Sequence, residues 1–208
     1  MIKSASEMRS AARAALKGHW AESAMLTFVY GIIVWAFSAL VGGLEYVQQG
    51  LGTVATLLML PLSWGYTVTF LSNARGENDP FNVSRIFDGY KDFGRIFITI
   101  LLMQVYTFLW TLLFIIPGII KSLSYAMTPF VLRDNPEMKN NEAIELSMKM
   151  MDGHKGDLFW LYLTFIGWGI LCIFTFGIGY FWLAPYVQAS MVQFYEDVKA
   201  DYEQKRER

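Results

Sequence analysis

Asp152, His154, Lys155 and Asp157 crowd into "MDGHKGD", where the residue types could do chemistry together. An imidazole between carboxylates suits proton transfer near neutral pH, and it is also half of a metal site. A metal site needs three or more ligands in a closed geometry. The only other histidine is His19, and the only cysteine, Cys172, lies inside an apolar run. No metal, no cofactor and no disulfide are therefore expected. The chain lacks G-x-S-x-G, H-E-x-x-H, a glycine-rich phosphate loop and a dinucleotide fingerprint, so no catalytic residue is nominated. Charge stops abruptly after Asp157. His19 follows Gly18 much as His154 follows Gly153, and "DGYK" (Asp88–Lys91) echoes "DGHK" (Asp152–Lys155) with a tyrosine in place of the imidazole. Tyrosine shares the ring's amphipathic character and not its titration. Gly18, His19, Gly89, Gly153, His154 and Lys155 accordingly read as hinges where a polar helix enters a membrane.

Other polar groups sit inside apolar runs. Lys121 either snorkels to headgroups or faces a cavity that takes a phosphate or carboxylate. Gln104, Tyr125 and Gln188, with Tyr106 and Ser190, either bond helix to helix or line a polar pocket. Lys121, Gln104, Tyr125 and Gln188 are the candidates for binding lipid or another ligand. Pro61, Pro129 and Pro185 are expected to kink their helices and open a cavity or fit an irregular bundle.

Composition sets the environment of these residues. Of 208 residues, 54% are hydrophobic and 17% charged, where a soluble domain carries about 25% charged. Six apolar runs follow: Ala24–Leu44, Leu51–Ser72, Ile96–Ile116, Pro117–Leu132, Leu158–Phe176 and Ile178–Tyr195. The first is about 30 Å long as a helix, enough to cross a bilayer, whereas the fourth is short enough to dip in instead. All but one of the 17 basic residues lie before the first run, between the second and third, between the fourth and fifth, or after the sixth. Lys121 is the exception. The positive-inside rule then places both termini and both long loops in the cytoplasm. It leaves Glu45 as the one acidic residue on the outer side. Trp20, Trp160, Tyr180 and Trp182 fit interfacial anchors. The polar first 22 positions resemble no cleaved leader.

The cytoplasmic segments read as helices. Met8, Ala12, Ala15 and Leu16 form an apolar stripe beside Arg9, Arg13 and Lys17, and "DNPEMKNNEAIELSMKMMDG" runs from a capping residue to Gly153, a left-handed C-cap. Such helices suit the headgroup region. At the offset that aligns "DGYK" with "DGHK", Met127 and Phe130 meet Met191 and Phe194, and Arg85 meets Lys149. The expected fold is an all-α polytopic membrane protein of about six transmembrane helices, arranged as three hairpins. Each hairpin follows a cytoplasmic amphipathic interfacial helix. The chain reads as one domain, 1–208, with repeat units 1–75, 76–135 and 136–198 and a charged tail, 199–208.

Three stretches carry a resemblance: "ARAALKGHW", "DNPEMKNNEAIELSMKMMDGHKGDLFWLYLTFIGW" and "APYVQASMVQFYEDV". Together they resemble the bacterial integral-membrane family catalogued as domain of unknown function 975. The resemblance implies a multi-pass protein of the bacterial inner membrane and brings no catalytic residues with it. The leading expectation is a non-catalytic protein that binds lipid or a membrane partner, itself included, as scaffold or accessory subunit. A small-solute permease with a pathway between proline-kinked helices is the alternative, and an intramembrane enzyme acting on lipid through His154 or Asp157 comes third. The basic loops are explained by topology, so no nucleic-acid partner is expected.

Overall fold

Ser4 shows how the first helix starts. Its hydroxyl accepts the Glu7 N–H, and the Glu7 carboxylate takes the Ser4 N–H at 2.8 Å, a reciprocal cap that opens α1, Ala5–Ala15. The computed structural model describes residues 2–45, 56–77 and 79–207. The described residues form nine α-helices and one 3₁₀ helix, Val83–Tyr90, with no strand. After α1 come α2 (Trp20–Glu45), α3 (Leu60–Ala74), the 3₁₀ helix, α4 (Phe93–Leu113) and α5 (Ile115–Tyr125). Then follow α6 (Thr128–Asp134), α7 (Asn141–Met150), α8 (Lys155–Phe174) and α9 (Tyr180–Arg206).

Among the described residues, four stretches are long and apolar enough to cross a membrane: Trp20–Gly42, Phe93–Leu113, Ile115–Asp134 and Lys155–Phe174. They correspond to the first, third, fourth and fifth runs read from the sequence. The start of the second run lies outside the described residues, and its described part is α3. The sixth run falls in α9, which is not among the four, because Gln188, Ser190 and Gln193, followed by Glu196 and Asp197, make it less apolar. Pro185, Tyr186, Ala189, Ser190, Met191, Val192, Phe194 and Tyr195 are all buried in protein.

The long helices do the opposite. Trp35 on α2 is 73% exposed, and so is Leu112 on α4, with Phe174 on α8 similar. The accessible surface of 11859 Å² exceeds the roughly 9,900 Å² expected of a compact soluble chain of 23.8 kDa. Apolar helices with this much outward apolar surface are compatible with a membrane protein.

The helices expected at the headgroups spend their apolar faces elsewhere. Met8, Ala12 and Leu16 of α1, Ile86 of the 3₁₀ helix, and Ala143, Ile144 and Met150 of α7 are buried in the protein core. Burying each large side chain contributes about 1.5–3 kcal/mol relative to leaving it in water. The 3₁₀ helix lies directly on α3: a Cβ at Gly65 would meet the Ile86 carbonyl oxygen at 2.1 Å, and one at Gly89 the Pro61 oxygen at 2.2 Å.

Proline placement is uneven. Met59 and Met127 have nearly the same backbone angles (φ −81, ψ −6 and φ −86, ψ −8), each just before a helix with proline in its first turn. Pro61 and Pro129 therefore start helices after a break, where their missing N–H is harmless. Pro185 lies inside a continuous α9. The turn between α8 and α9 is closed by its own backbone. The N–H groups of Thr175, Phe176, Gly177, Ile178 and Tyr180 all donate to carbonyls within the turn, and Gly179 N–H donates to Thr175 Oγ1. Phe176 at its tip is 98% exposed.

Candidate functional site

His154 leaves Asp152 exposed to solvent and turns toward α9. Its Nε2 lies 3.0 Å from Asp201 Oδ2, its Nδ1 3.6 Å from Asp157, and Lys205 holds the same Asp201 oxygen at 2.6 Å. Hydrogen bonds from Lys205 and then from His154 hold the Asp201 carboxyl below its ordinary value. The arrangement ties the α7–α8 turn to the last helix. Among the described residues no three His, Cys, Asp or Glu side chains are grouped to hold a metal ion. Gly18 (φ +92) and Gly153 (φ +84) are left-handed, as a chain reversal between helices requires. Gly89 differs: it has no positive φ and serves the close approach to Pro61, so "DGYK" and "DGHK" are alike in sequence and unlike in conformation. His19 bonds Glu22 at 2.6 Å just before α2 and its third residue, and Lys155 is the first residue of α8.

The polar residues inside the apolar runs do not converge. Lys121 Nζ sits 5.0 Å over the Trp110 ring and 4.0 Å from Met148 Sδ, so it packs on an aromatic face. Gln104 and Tyr125 line a groove of about 440 Å³ between α4 and the α5–α6 arm, with Thr107, Thr111 and Ser122. Gln188 is half-buried on α9, and neither it nor Lys121 lines that groove.

A charged cluster that the sequence reading did not single out lies at one end of the bundle. Asp134, only 7% exposed at its side chain, closes α6. Arg75 meets both its oxygens, at 2.6 and 2.8 Å, and reaches Glu196 through Nε at 2.9 Å. Tyr195 donates to Asp134 at 2.7 Å and Lys199 at 2.6 Å. The ends of α3 and α6 and the middle of α9 are thus pinned on one carboxylate. Beside it, Glu77 accepts from Arg85 at 2.9 Å and Arg133 at 3.2 Å. Burial alone would raise the Glu77 carboxyl; hydrogen bonds from Arg85 and Ser72 and the charge of Arg133 outweigh it and hold the group below its ordinary value. Arg95 donates to the Leu132 carbonyl at 3.1 Å, capping the end of α6. The cluster's one sequence signal is opposite charge at the ends of proline-bearing helices, "NARGE", "LRDN" and "YEDVK". A polar cleft of about 620 Å³ opens beside it, between α7 and the end of α9.

On the other face, Arg9 and Arg13 of α1 overlook an apolar groove of about 470 Å³ between α8 and α9. Trp168, Leu171, Trp182 and Tyr186 line it. Arg13 lies 5.9 Å over the Tyr186 ring, and the Arg9 Nε is buried without a hydrogen-bond partner. Arg9 also borders a pocket of about 420 Å³ with Lys3, Ser4, Ser6 and Asp157.

An all-helical chain whose long helices turn apolar side chains outward, with its charge gathered into clusters, is of a class compatible with integral membrane proteins. The chain belongs to the family described as "Protein of unknown function (DUF975)", whose sequence model matches residues 1–122 and 112–202. All three stretches that carry the resemblance fall within those residues. Comparison with curated proteins and with solved structures gives no match.

Proposed function

We propose that the protein is a non-catalytic, multi-pass protein of the bacterial inner membrane. In this reading six helices cross in three hairpins, repeated over 1–75, 76–135 and 136–198, with both termini cytoplasmic. It serves as a scaffold or accessory subunit that binds lipid or a membrane partner. The observation that carries this is where the basic segments meet. Lys3 pairs with Asp197 at 2.6 Å, Arg75 and Lys199 with Asp134, and His154 with Asp201. The N-terminus, both long loops and the C-terminal helix are therefore neighbours, which supports one shared cytoplasmic side. A permease would need a common polar path, whereas Gln104 and Tyr125 share a groove that Lys121 and Gln188 do not line. The test is labelling with a membrane-impermeant maleimide in a Cys172→Ser background. Glu45→Cys should react from outside the cell, and Lys205→Cys only after the membrane is opened. Reaction at position 45 only from the cytoplasmic side would overturn the orientation.

A further inference from the structure

We infer that the groove beneath Arg9 and Arg13 is a binding site for one anionic phospholipid of the bilayer. The site rests on the membrane reading above and names a ligand for it. Polarity changes along it in one direction. The pocket with Lys3, Ser4, Ser6 and Asp157 mixes polar with apolar side chains, Arg9 borders both spaces, and beyond Arg13 the lining turns to Trp168, Leu171, Trp182 and Tyr186. A phospholipid has the same order: head group, phosphate, acyl chain.

The charges select an anion. Most other arginines of the chain are held by carboxylates or carbonyls: Arg75 by Asp134, Arg85 and Arg133 by Glu77, Arg95 by Asp92 and Leu132. Neither Arg9 nor Arg13 pairs with a carboxylate among the described residues, and the buried Nε of Arg9 is an unused donor. A guanidinium fork fits a phosphate through two parallel hydrogen bonds. No carboxylate lines the groove itself, and in the adjoining pocket the single carboxylate, Asp157, is outnumbered by Lys3 and Arg9.

The far end selects a hydrocarbon. Thr175 donates to the Cys172 carbonyl at 3.0 Å and accepts from Gly179 N–H at 3.0 Å, which satisfies its hydroxyl within the turn. From Trp168 to Thr175 the wall of α8 runs about 10 Å at 1.5 Å per residue. That length accommodates about two thirds of the roughly 15 Å of hydrocarbon that one leaflet holds.

The experiment is native mass spectrometry of the full chain in detergent with equimolar phosphatidylglycerol, phosphatidylethanolamine and phosphatidylcholine. One phosphatidylglycerol should be retained about tenfold over either zwitterionic lipid, the scale of one charge-assisted hydrogen bond. Arg9→Gln with Arg13→Gln should erase the preference. Arg13→Gln alone, at an exposed position, should weaken it, and Leu171→Trp, which fills the groove, should lower retention of all three lipids. Equal retention of the three lipids by the wild type, or an unchanged preference in the double variant, would sink the site. Resistance to carbonate extraction, read on membranes from the same cells before detergent is added, separates the two levels. A wild type extracted by carbonate overturns the membrane reading, whereas one that resists extraction but ignores head groups overturns only the lipid site.

Discussion

Asp134 holds more of the molecule than any other single side chain described above. Three helices end or pass where its two oxygens accept from Arg75, Tyr195 and Lys199. Asp134→Asn would leave Arg75 and Lys199, each about one-third exposed, facing a neutral amide, and since water takes up part of their charge a loss of about 1–3 kcal/mol is expected. A thermal unfolding scan in detergent should show that loss, and Tyr195→Phe should cost about 1 kcal/mol, one hydrogen bond. Glu77 supplies the acid dependence. Its folded-state carboxyl titrates below its unfolded value, so its contribution is present above the unfolded value, about pH 4.3, and is lost as pH falls through the folded one. Melting temperatures taken from pH 6 down to pH 3 should fall less steeply for Glu77→Gln than for the wild type. None of this was legible in the sequence, because the partners of Asp134 lie 59, 61 and 65 positions away. Local spacing shows that "LRDN" ends a helix and gives no hint of which cations come to meet it.

Helices were the most readable level, and the reason is composition. A long run without charge, such as Ala24–Leu44, has few structures open to it but a helix, and α2 covers it. What such a run packs against is another matter. Ile178–Tyr195 reads as one more run without charge, yet it carries Gln188, Ser190 and Gln193 and its helix is buried by protein, a difference that the length of the run does not announce. The amphipathic stripe of α1 was likewise visible in Met8, Ala12 and Leu16, while its partner was not. Glycine decides one contact at this scale. Gly65→Ala would drive a methyl group into the Ile86 carbonyl, and the backbone must give way. A loss of about 1–3 kcal/mol is expected, with faster hydrogen exchange confined to the 3₁₀ helix Val83–Tyr90. Uniformly faster exchange across the chain would show instead that this contact is not local.

At the scale of the whole molecule, charge gathers at one end and apolar side chains face outward along the long helices. The ion pairs Lys3–Asp197 and His154–Asp201 bring together there segments that lie far apart in the sequence. The turn between α8 and α9 adds something that charge alone does not. Amide groups in hydrocarbon must find partners within the protein, and here the N–H groups from Thr175 to Tyr180 have done so. With Phe176 at its tip, this hairpin has no need to surface in water. Its N–H groups ask nothing of water, so side chains such as Phe176, rather than backbone donors, decide which medium the tip prefers.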